Sequence, residues 1–361
     1  MKIVALKERD DNENRCAITP DVVKLFVKKN YQIMIEEDIG IKAGFTNDEY
    51  LNVGAKVSID QNEIISDADI ILKVNANNKD VEIDSAKPGT IIIGLLSPHN
   101  NEAYFAKLAK QKLIPISMEL LPRTTKAQSM DVLSSQANLS GYRAVIEASY
   151  HYNKALPMMM TPAGSIKPCK CLILGVGVAG LQAIATAKRL GAIVSAFDIR
   201  PSTKEQVESL GAKFLSIELE ENIENKSGYA NSLSDINKQK TEKFLISIVK
   251  NYDMIITTAQ IPGKLAPILI TNSMVEMMNV GSVIVDMATG SGGNVVGSKK
   301  DEIIVTHNGV TIIGYSNLPS RIAFDASRLY SRNLYNLIDY AVQNDKFNLD
   351  DELIKSTLKL F

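Results

Sequence analysis

The sequence predicts an α/β chain: two doubly wound parallel-sheet domains joined by two long helices. Three observations carry that expectation. Short apolar runs alternate with amphipathic stretches along most of the chain, the pattern of βαβ units. A glycine-rich turn at 175–180 stands between an apolar run and a helical stretch. Two helical stretches, at about 127–150 and 319–340, are longer than a usual globular helix. The 361 residues suffice for two domains with separate cores.

In the first half, residues 3–6 read as a strand. Thr19, Pro20 and Asp21 mark a helix start, with Thr19 as N-cap and Pro20 in the first turn. Val22, Val23, Phe26 and Val27 continue that helix. Residues 31–35 read as the next strand and 46–54 as a short capped helix. Further strands are expected at 70–74, 90–93 and 114–117, with a helix at 101–112 before the last. No glycine fingerprint follows the first strand, so this half, 1–126 plus 330–361, is expected to hold no nucleotide of its own. Leu121-Pro122-Arg123-Thr124-Thr125 is loop-like. From Ala127 to Tyr150 only Gly141 interrupts a helical run, taken as a linking helix at 127–154. A loop at 158–167 leads into the second domain, 155–318.

There the pattern tightens. Residues 171–174 form a buried strand pattern. Gly175, Gly177 and Gly180 follow in G-x-G-x-x-G spacing, and a helical stretch continues to Leu190. A second apolar run at 192–197 ends in Asp198. Together these make the dinucleotide fingerprint of a Rossmann-like domain. Gly175 permits the turn out of the strand. Gly177 lets a pyrophosphate approach the backbone, and Gly180 lets helix and sheet pack closely. The helix start offers N–H groups and partial positive charge to phosphates. Asp198 can accept from ribose hydroxyls and repels a 2′-phosphate, which favours NAD over NADP. Arg200, two residues on, tempers that preference. A helix at 201–210 and a strand at 214–217 follow. The polar stretch 218–243 is too long for an ordinary connection and reads as a flap or a disordered segment. Strands at 254–258, 283–286, 303–305 and 310–313 complete the sheet. The helix 319–341 carries the chain back, and the tail from 344 reads as peripheral.

The totals exclude several classes. Forty basic and 41 acidic side chains nearly cancel, so neither a nucleic-acid binder nor a polybasic membrane anchor is expected. Cys16, Cys169 and Cys171 cannot all pair within one chain and read as reduced thiols of a cytosolic protein. His99, His151 and His307 are scattered, so no metal site is expected. No signal peptide and no stretch of 18 continuous apolar residues is present, and the chain is read as soluble.

Several stretches carry a resemblance. The run Pro122-Arg123-Thr124-Thr125-Lys126-Ala127-Gln128-Ser129-Met130-Asp131-Val132-Leu133-Ser134-Ser135 resembles P-R-x-(S/T)-(R/K)-A-Q-S-x-D-x-L-S-S. Gly175-Val176-Gly177-Val178-Ala179-Gly180-Leu181-Gln182-Ala183 resembles the nucleotide turn of the same proteins. Gly228-Tyr229-Ala230, Ile261-Pro262-Gly263-Lys264, Val285-Asp286-Met287-Ala288, Gly292-Gly293-Asn294 and Asn317-Leu318-Pro319-Ser320-Arg321 also match. Over nearly its whole length the chain resembles the NAD(H)-binding alpha components of proton-translocating NAD(P) transhydrogenases, within a wider family that includes alanine dehydrogenase.

That resemblance implies the chemistry. Hydride passes from NADH to NADP⁺, and NADP(H) is held only by a partner component, so one fingerprint per chain suffices. Arg123, Gln128, Asp131 and Ser134 are implied on the nicotinamide side, with Gln128 reaching toward the partner's nucleotide. The nucleotide site is implied at Gly175, Gly177, Val178, Ala179, Gly180, Asp198, Ile199, Arg200, Thr258, Ala259 and Gln260, with Tyr229 in a mobile loop that closes over it. At Gln260 relatives carry an aliphatic residue. A homodimer docked on a membrane-embedded component, on the cytoplasmic side, is likewise implied. The dehydrogenase alternative would use Arg15 and Lys73 for a carboxylate substrate. It also needs a histidine where this chain has Leu95-Leu96-Ser97-Pro98, and a carboxylate within Met287-Ala288-Thr289-Gly290-Ser291-Gly292-Gly293, where none stands. An amino-acid dehydrogenase requires such a proton-transfer partner. Arg15 and Lys73 are therefore expected to make structural ion pairs. A non-catalytic NAD-binding module is the remaining alternative.

Overall fold

Each half of the chain builds its own parallel sheet. The computed structural model describes residues 1–77, 82–218, 235–261, 263–344 and 346–358. The chain divides into two units, Met1–Gln136 with Pro319–Phe361, and Ala137–Leu318.

In the first unit the strands are β1 (Lys2–Ala5), β2 (Gln32–Glu36), β3 (Lys56–Ser58), β4 (Ile70–Asn75), β5 (Ile91–Leu95) and β6 (Ile114–Ser117). Their order is β3-β2-β1-β4-β5-β6 and every pairing is parallel. Alternate residues serve opposite faces. Ile3, Ile33, Ile70 and Ile91 join one core cluster, while Val4, Met34, Ile71 and Ile92 join another. Both faces are therefore covered, which is why these strands read as continuous apolar runs. The helix Pro20–Lys28 buries Val22, Val23 and Phe26. Thr19 sits at its N-cap but makes no capping bond; its hydroxyl donates to Asp21 instead. Thr46 and Glu49 do form a reciprocal capping box on Asn47–Asn52. The tail departs from its expected peripheral place. Its helix Glu352–Thr357 buries Leu353 and Ile354 in the core, and Leu358 bridges to Ile116 of β6.

The two long helical stretches also differ from expectation. Thr125–Met130 is a 3₁₀ turn, and the α-helix starts only at Val132 and runs to His151. From Ala137 onward it belongs to the second unit, where Ala144, Val145 and Ala148 enter the core. Pro319–Ile322 is likewise 3₁₀, followed by the helix Ala323–Ala341. That helix buries Tyr330, Leu334, Leu337 and Ile338 in the first unit. Residues 127–136 and 319–329 thus go with the first unit rather than into linkers.

The second unit adds a hairpin, β7 (Met159–Thr161) and β8 (Gly164–Ile166), in the stretch expected to be a loop. All six of its residues are exposed, so no apolar alternation announces it. The main strands are β9 (Lys170–Leu174), β10 (Ile193–Phe197), β11 (Lys213–Leu215), β12 (Met254–Thr257), β13 (Val283–Asp286), β14 (Ile303–Val305) and β15 (Thr311–Ile313). Their order is β11-β10-β9-β12-β13-β15-β14, parallel except for the edge strand β14. Cys171 and Ile173 pack on one face, Leu172 and Leu174 on the other. From residue 235 the expected flap is instead a helix, Asp235–Ile248, anchored by buried Leu245 and Thr241. Residues 219–234, which include Gly228, Tyr229 and Ala230, lie outside the described residues, as does Pro262. The fold is α/β with parallel sheets, Rossmann-like in both halves.

Candidate functional site

In an open parallel sheet a ligand binds beyond the carboxyl ends of the strands, where the strand order reverses. In the second unit that point lies between β9 and β12. Gly175 leaves β9 there with φ 97°, a conformation that side chains avoid. A Cβ on Gly175 would also stand 2.6 Å from the Thr258 hydroxyl. That hydroxyl donates to the Gly175 carbonyl at 2.9 Å, tying the turn to the end of β12. Gly177 is the N-cap of the helix Val178–Arg189 and supplies no side-chain cap. The N–H groups of the first turn have no helical carbonyl to bond. A Cβ on Gly177 would meet nothing within 4 Å. The helix start therefore faces open space that an anion can fill, and the residues present fit a dinucleotide.

Gly180 does the opposite job. A Cβ there would lie 2.0 Å from the Gly175 carbonyl oxygen. Gly141, in mid-helix, is explained the same way: its Cβ would lie 2.0 Å from the Ala179 carbonyl oxygen. The helix Val132–His151 thus passes directly against the start of the nucleotide-turn helix.

Asp198 follows β10 beside the turn. Its Oδ2 accepts from the Val176 N–H at 2.7 Å, and both oxygens accept from the Arg200 guanidinium at 2.8 and 2.9 Å. Ile199 packs against the neighbouring core. Beyond β12, the Ala259 N–H donates to Asn294 Oδ1, and Asn294 Nδ2 donates back to the Ala259 carbonyl. Gln260 reaches the Met287 carbonyl. Sequence reasoning assigns no role to Asn294 or Asp286, although both stand in matching stretches. Asp286 is fully buried and accepts from the Ala288, Asn294 and Val295 N–H groups and from Thr257 Oγ1. This carboxylate organises the loop after β13, and Asn294 passes that order to the loop after β12. A polar residue at the end of an otherwise apolar strand is the available signal.

The other candidate residues lie in the first unit. Arg123 and Gln128 are exposed, the latter within the 3₁₀ turn. Asp131 ends that turn and begins the long helix. Its Oδ1 accepts from the Ser134 N–H at 2.9 Å, an N-cap bond, and its Oδ2 accepts from the Ser134 hydroxyl at 2.6 Å. Asp131 and Ser134 are therefore one hydrogen-bonded pair. Below them Asn333 and Asn336 each donate to the Ser129 carbonyl, fixing the turn that presents Gln128.

The strand-order reversal of the first unit, between β1 and β4, is filled by its own side chains. Glu8 accepts from the Val74 and Asn75 N–H groups, and the Tyr330 hydroxyl donates to the Lys73 carbonyl at 2.6 Å. Burial pushes the Glu8 carboxyl up to about 7, against the pull of nearby Lys73. Arg15 is buried and forks onto Glu13 at 2.6 and 2.8 Å, with Gln136 as a third partner. Arg15 is thus held in an ion pair, as expected. The cysteines are buried and unbridged, and burial raises Cys16 to about 11 and Cys169 to about 12. Among the described residues no His, Cys, Asp and Glu cluster could hold a metal, and no helix is long and apolar enough to cross a membrane.

Residues 4–140 match the N-terminal domain, and residues 144–360 the C-terminal domain, of the family described as alanine dehydrogenase/PNT. The chain is 60% identical over 361 residues to a protein of Rickettsia prowazekii (strain Madrid E) that is named as the first portion of an NAD(P) transhydrogenase subunit alpha, covering 99% of this chain and 94% of that protein. Among solved structures, a transhydrogenase from Sinorhizobium meliloti superposes with a TM-score of 0.90 at 41% identity, covering 99% of this chain and 98% of that one. An L-alanine dehydrogenase superposes with a TM-score of 0.82 at 24% identity, over 100% of this chain and 95% of that one, which speaks to the fold alone.

Proposed function

The chain belongs to the alanine dehydrogenase/transhydrogenase family, and from that premise we propose that it is the NAD(H)-binding alpha component of a proton-translocating transhydrogenase. In this reading NADH becomes NAD⁺ while NADP⁺, held by a separate component, becomes NADPH. The observation that carries the proposal is a contrast at one sheet end. The nucleotide turn is fully built, while the loop beside it offers no group to move a proton. From Met287 to Gly293 no side chain is acidic or basic, and the carboxylate just before them, Asp286, is consumed by backbone N–H groups. A carbonyl substrate would need such a group; nicotinamide-to-nicotinamide exchange does not.

The chain's own residues have a binding and aiming task. The first-turn N–H groups at Val178, Ala179 and Gly180 hold the pyrophosphate, and open Gly177 admits it. Asp198 takes the adenosine ribose, with Ile199, Arg200, Thr258, Ala259 and Gln260 around it. Arg123, Gln128, Asp131 and Ser134 attend the nicotinamide end, Arg123 by donating from its planar fork and the Asp131–Ser134 pair by bonding the carboxamide. Tyr229 is the proposed closing residue. When bound, the reduced nicotinamide supplies the hydride. The names of the relatives at 41–60% identity, each a transhydrogenase subunit alpha or a portion of one, support a multi-component enzyme. We propose accordingly a homodimer on the cytoplasmic face of a membrane, docked to a component that carries NADP(H) and the proton path. NADH titration of the purified chain tests the binding half. Oxidation of NADH by pyruvate and ammonia with this chain alone would overturn the rest.

A further inference from the structure

A carboxylate offers about four acceptor positions. On Asp198 the described donors fill them. Oδ1 accepts from the Arg200 backbone N–H and from Arg200 Nε, both at 2.9 Å. Oδ2 accepts from the Val176 N–H at 2.7 Å and from Arg200 Nη2 at 2.8 Å. Arg200 Nη2 also donates to the Val176 carbonyl at 3.2 Å, so the fork grips the glycine turn as well. Little of this is open to water: the Asp198 and Arg200 side chains keep 6% and 15% of their exposure. The two backbone donors are fixed by the turn. The Arg200 side chain is not.

We infer that Arg200 masks the ribose subsite: its guanidinium occupies the Asp198 positions that the ribose hydroxyls need, and nucleotide binding exchanges one for the other. The inference rests on the reading that this chain binds NADH. Arg200 is then a specificity-determining residue by competition rather than by direct contact. The exchange sets a threshold. A ligand with both ribose hydroxyls replaces the bonds it breaks. A ligand without them leaves the fork in place and gains nothing from Asp198.

The test compares ADP with 2′,3′-dideoxy-ADP by calorimetry, alongside NADH followed by its own fluorescence, since the chain has no Trp. The proteins are the wild-type chain, Arg200→Met, which keeps the apolar stem, and Arg200→Lys, which keeps the charge without the fork. The preference for ADP over its dideoxy analogue should rise about five- to tenfold in Arg200→Met, with Arg200→Lys in between. The ratio cancels any general loss of positive charge or of folded protein. An unchanged or smaller ratio in both variants overturns the masking role. If Arg200→Met does not fold, the Lys variant decides by the same ratio. Failure of the wild-type chain to bind NADH sinks the earlier reading instead, and is seen before any variant is made.

Discussion

Gly177 and Gly180 stand three residues apart, and the structure gives them opposite sensitivities. In Gly180→Ala the new methyl would lie 2.0 Å from the Gly175 carbonyl oxygen and 3.0 Å from its carbon, where ordinary contact begins at 3.4 Å. Both atoms are backbone, so no side-chain rotation relieves the clash. The helix start must retreat by about 1.4 Å, the shortfall in that contact. Overpacking of this kind costs about 1–3 kcal/mol, which in a melting unit the size of Ala137–Leu318 lowers the melting temperature by roughly 2–12 °C. The same retreat carries the first-turn N–H groups out of hydrogen-bond range of a phosphate. Losing one charge-assisted bond of about 1.5–3 kcal/mol weakens NADH binding by roughly 10- to 150-fold. In Gly177→Ala the methyl meets no protein atom within 4 Å, so melting should hold within about 2 °C, yet the methyl occupies the space assigned to the pyrophosphate and NADH binding should be lost. Calorimetric melting and NADH fluorescence titration of both variants read this out. Normal NADH affinity in Gly177→Ala, or an unshifted melting curve in Gly180→Ala, refutes the reasoning.

Three further outcomes are expected. Asn294→Ala removes the two-way clamp on Ala259 and should weaken NADH binding at least tenfold while costing about 1–3 kcal/mol of stability; an unchanged titration would detach the loop after β12 from the site. Gln128→Asn should slow hydride exchange in the reconstituted complex and leave NADH affinity near normal, because the residue is exposed on its turn; equal exchange rates remove Gln128 from the mechanism. Glu8 gives a pH dependence. Its folded carboxyl sits at about 7 against an ordinary 4.5, so between those values the folded state binds more protons and stability falls as pH rises. Glu8→Gln, which gives up one of the two backbone N–H bonds, should therefore be more favourable above pH 7 than near pH 4.5 by up to about 3 kcal/mol. Urea melts at both ends of that window decide it, and an equal effect at the two pH values contradicts the assignment.

The nucleotide turn is legible in the sequence because each of its residue types answers a different steric demand within six positions. Gly175 needs a positive φ, Gly177 faces open space and Gly180 meets a backbone oxygen. Such demands leave few alternatives, so spacing alone reveals them. The strands are legible because both faces of each sheet are covered, which makes 70–74 or 283–286 apolar nearly throughout. Gly141 reads only as an interruption, since its partner, the Ala179 carbonyl, is close in space and distant in sequence. Asn294 escapes for the same reason, since it bonds backbone groups of the loop after β12, and Asp286 escapes because its role consists of bonds to backbone groups of its own following loop, up to nine residues on. The hairpin at 159–166 is missed because it buries nothing. The tail is misjudged because its apolar residues, Phe347, Leu349, Leu353, Ile354 and Leu358 among them, are scattered through a polar stretch with no strand or long-helix period, and its helix packs on β6 and the turn Met118–Leu120, which are distant in sequence. From spacing, Arg200 is a mild modifier of nucleotide choice; its grip on Asp198 depends on a turn conformation that spacing does not specify.

The most direct measurement mixes the purified chain with an NADP(H)-binding transhydrogenase component and follows NADH oxidation against reduction of an NADP⁺ analogue. The two rates should be equal and should require both proteins. Turnover by this chain alone with a small organic acid, or no exchange from a mixture in which both nucleotides are bound, would contradict the account.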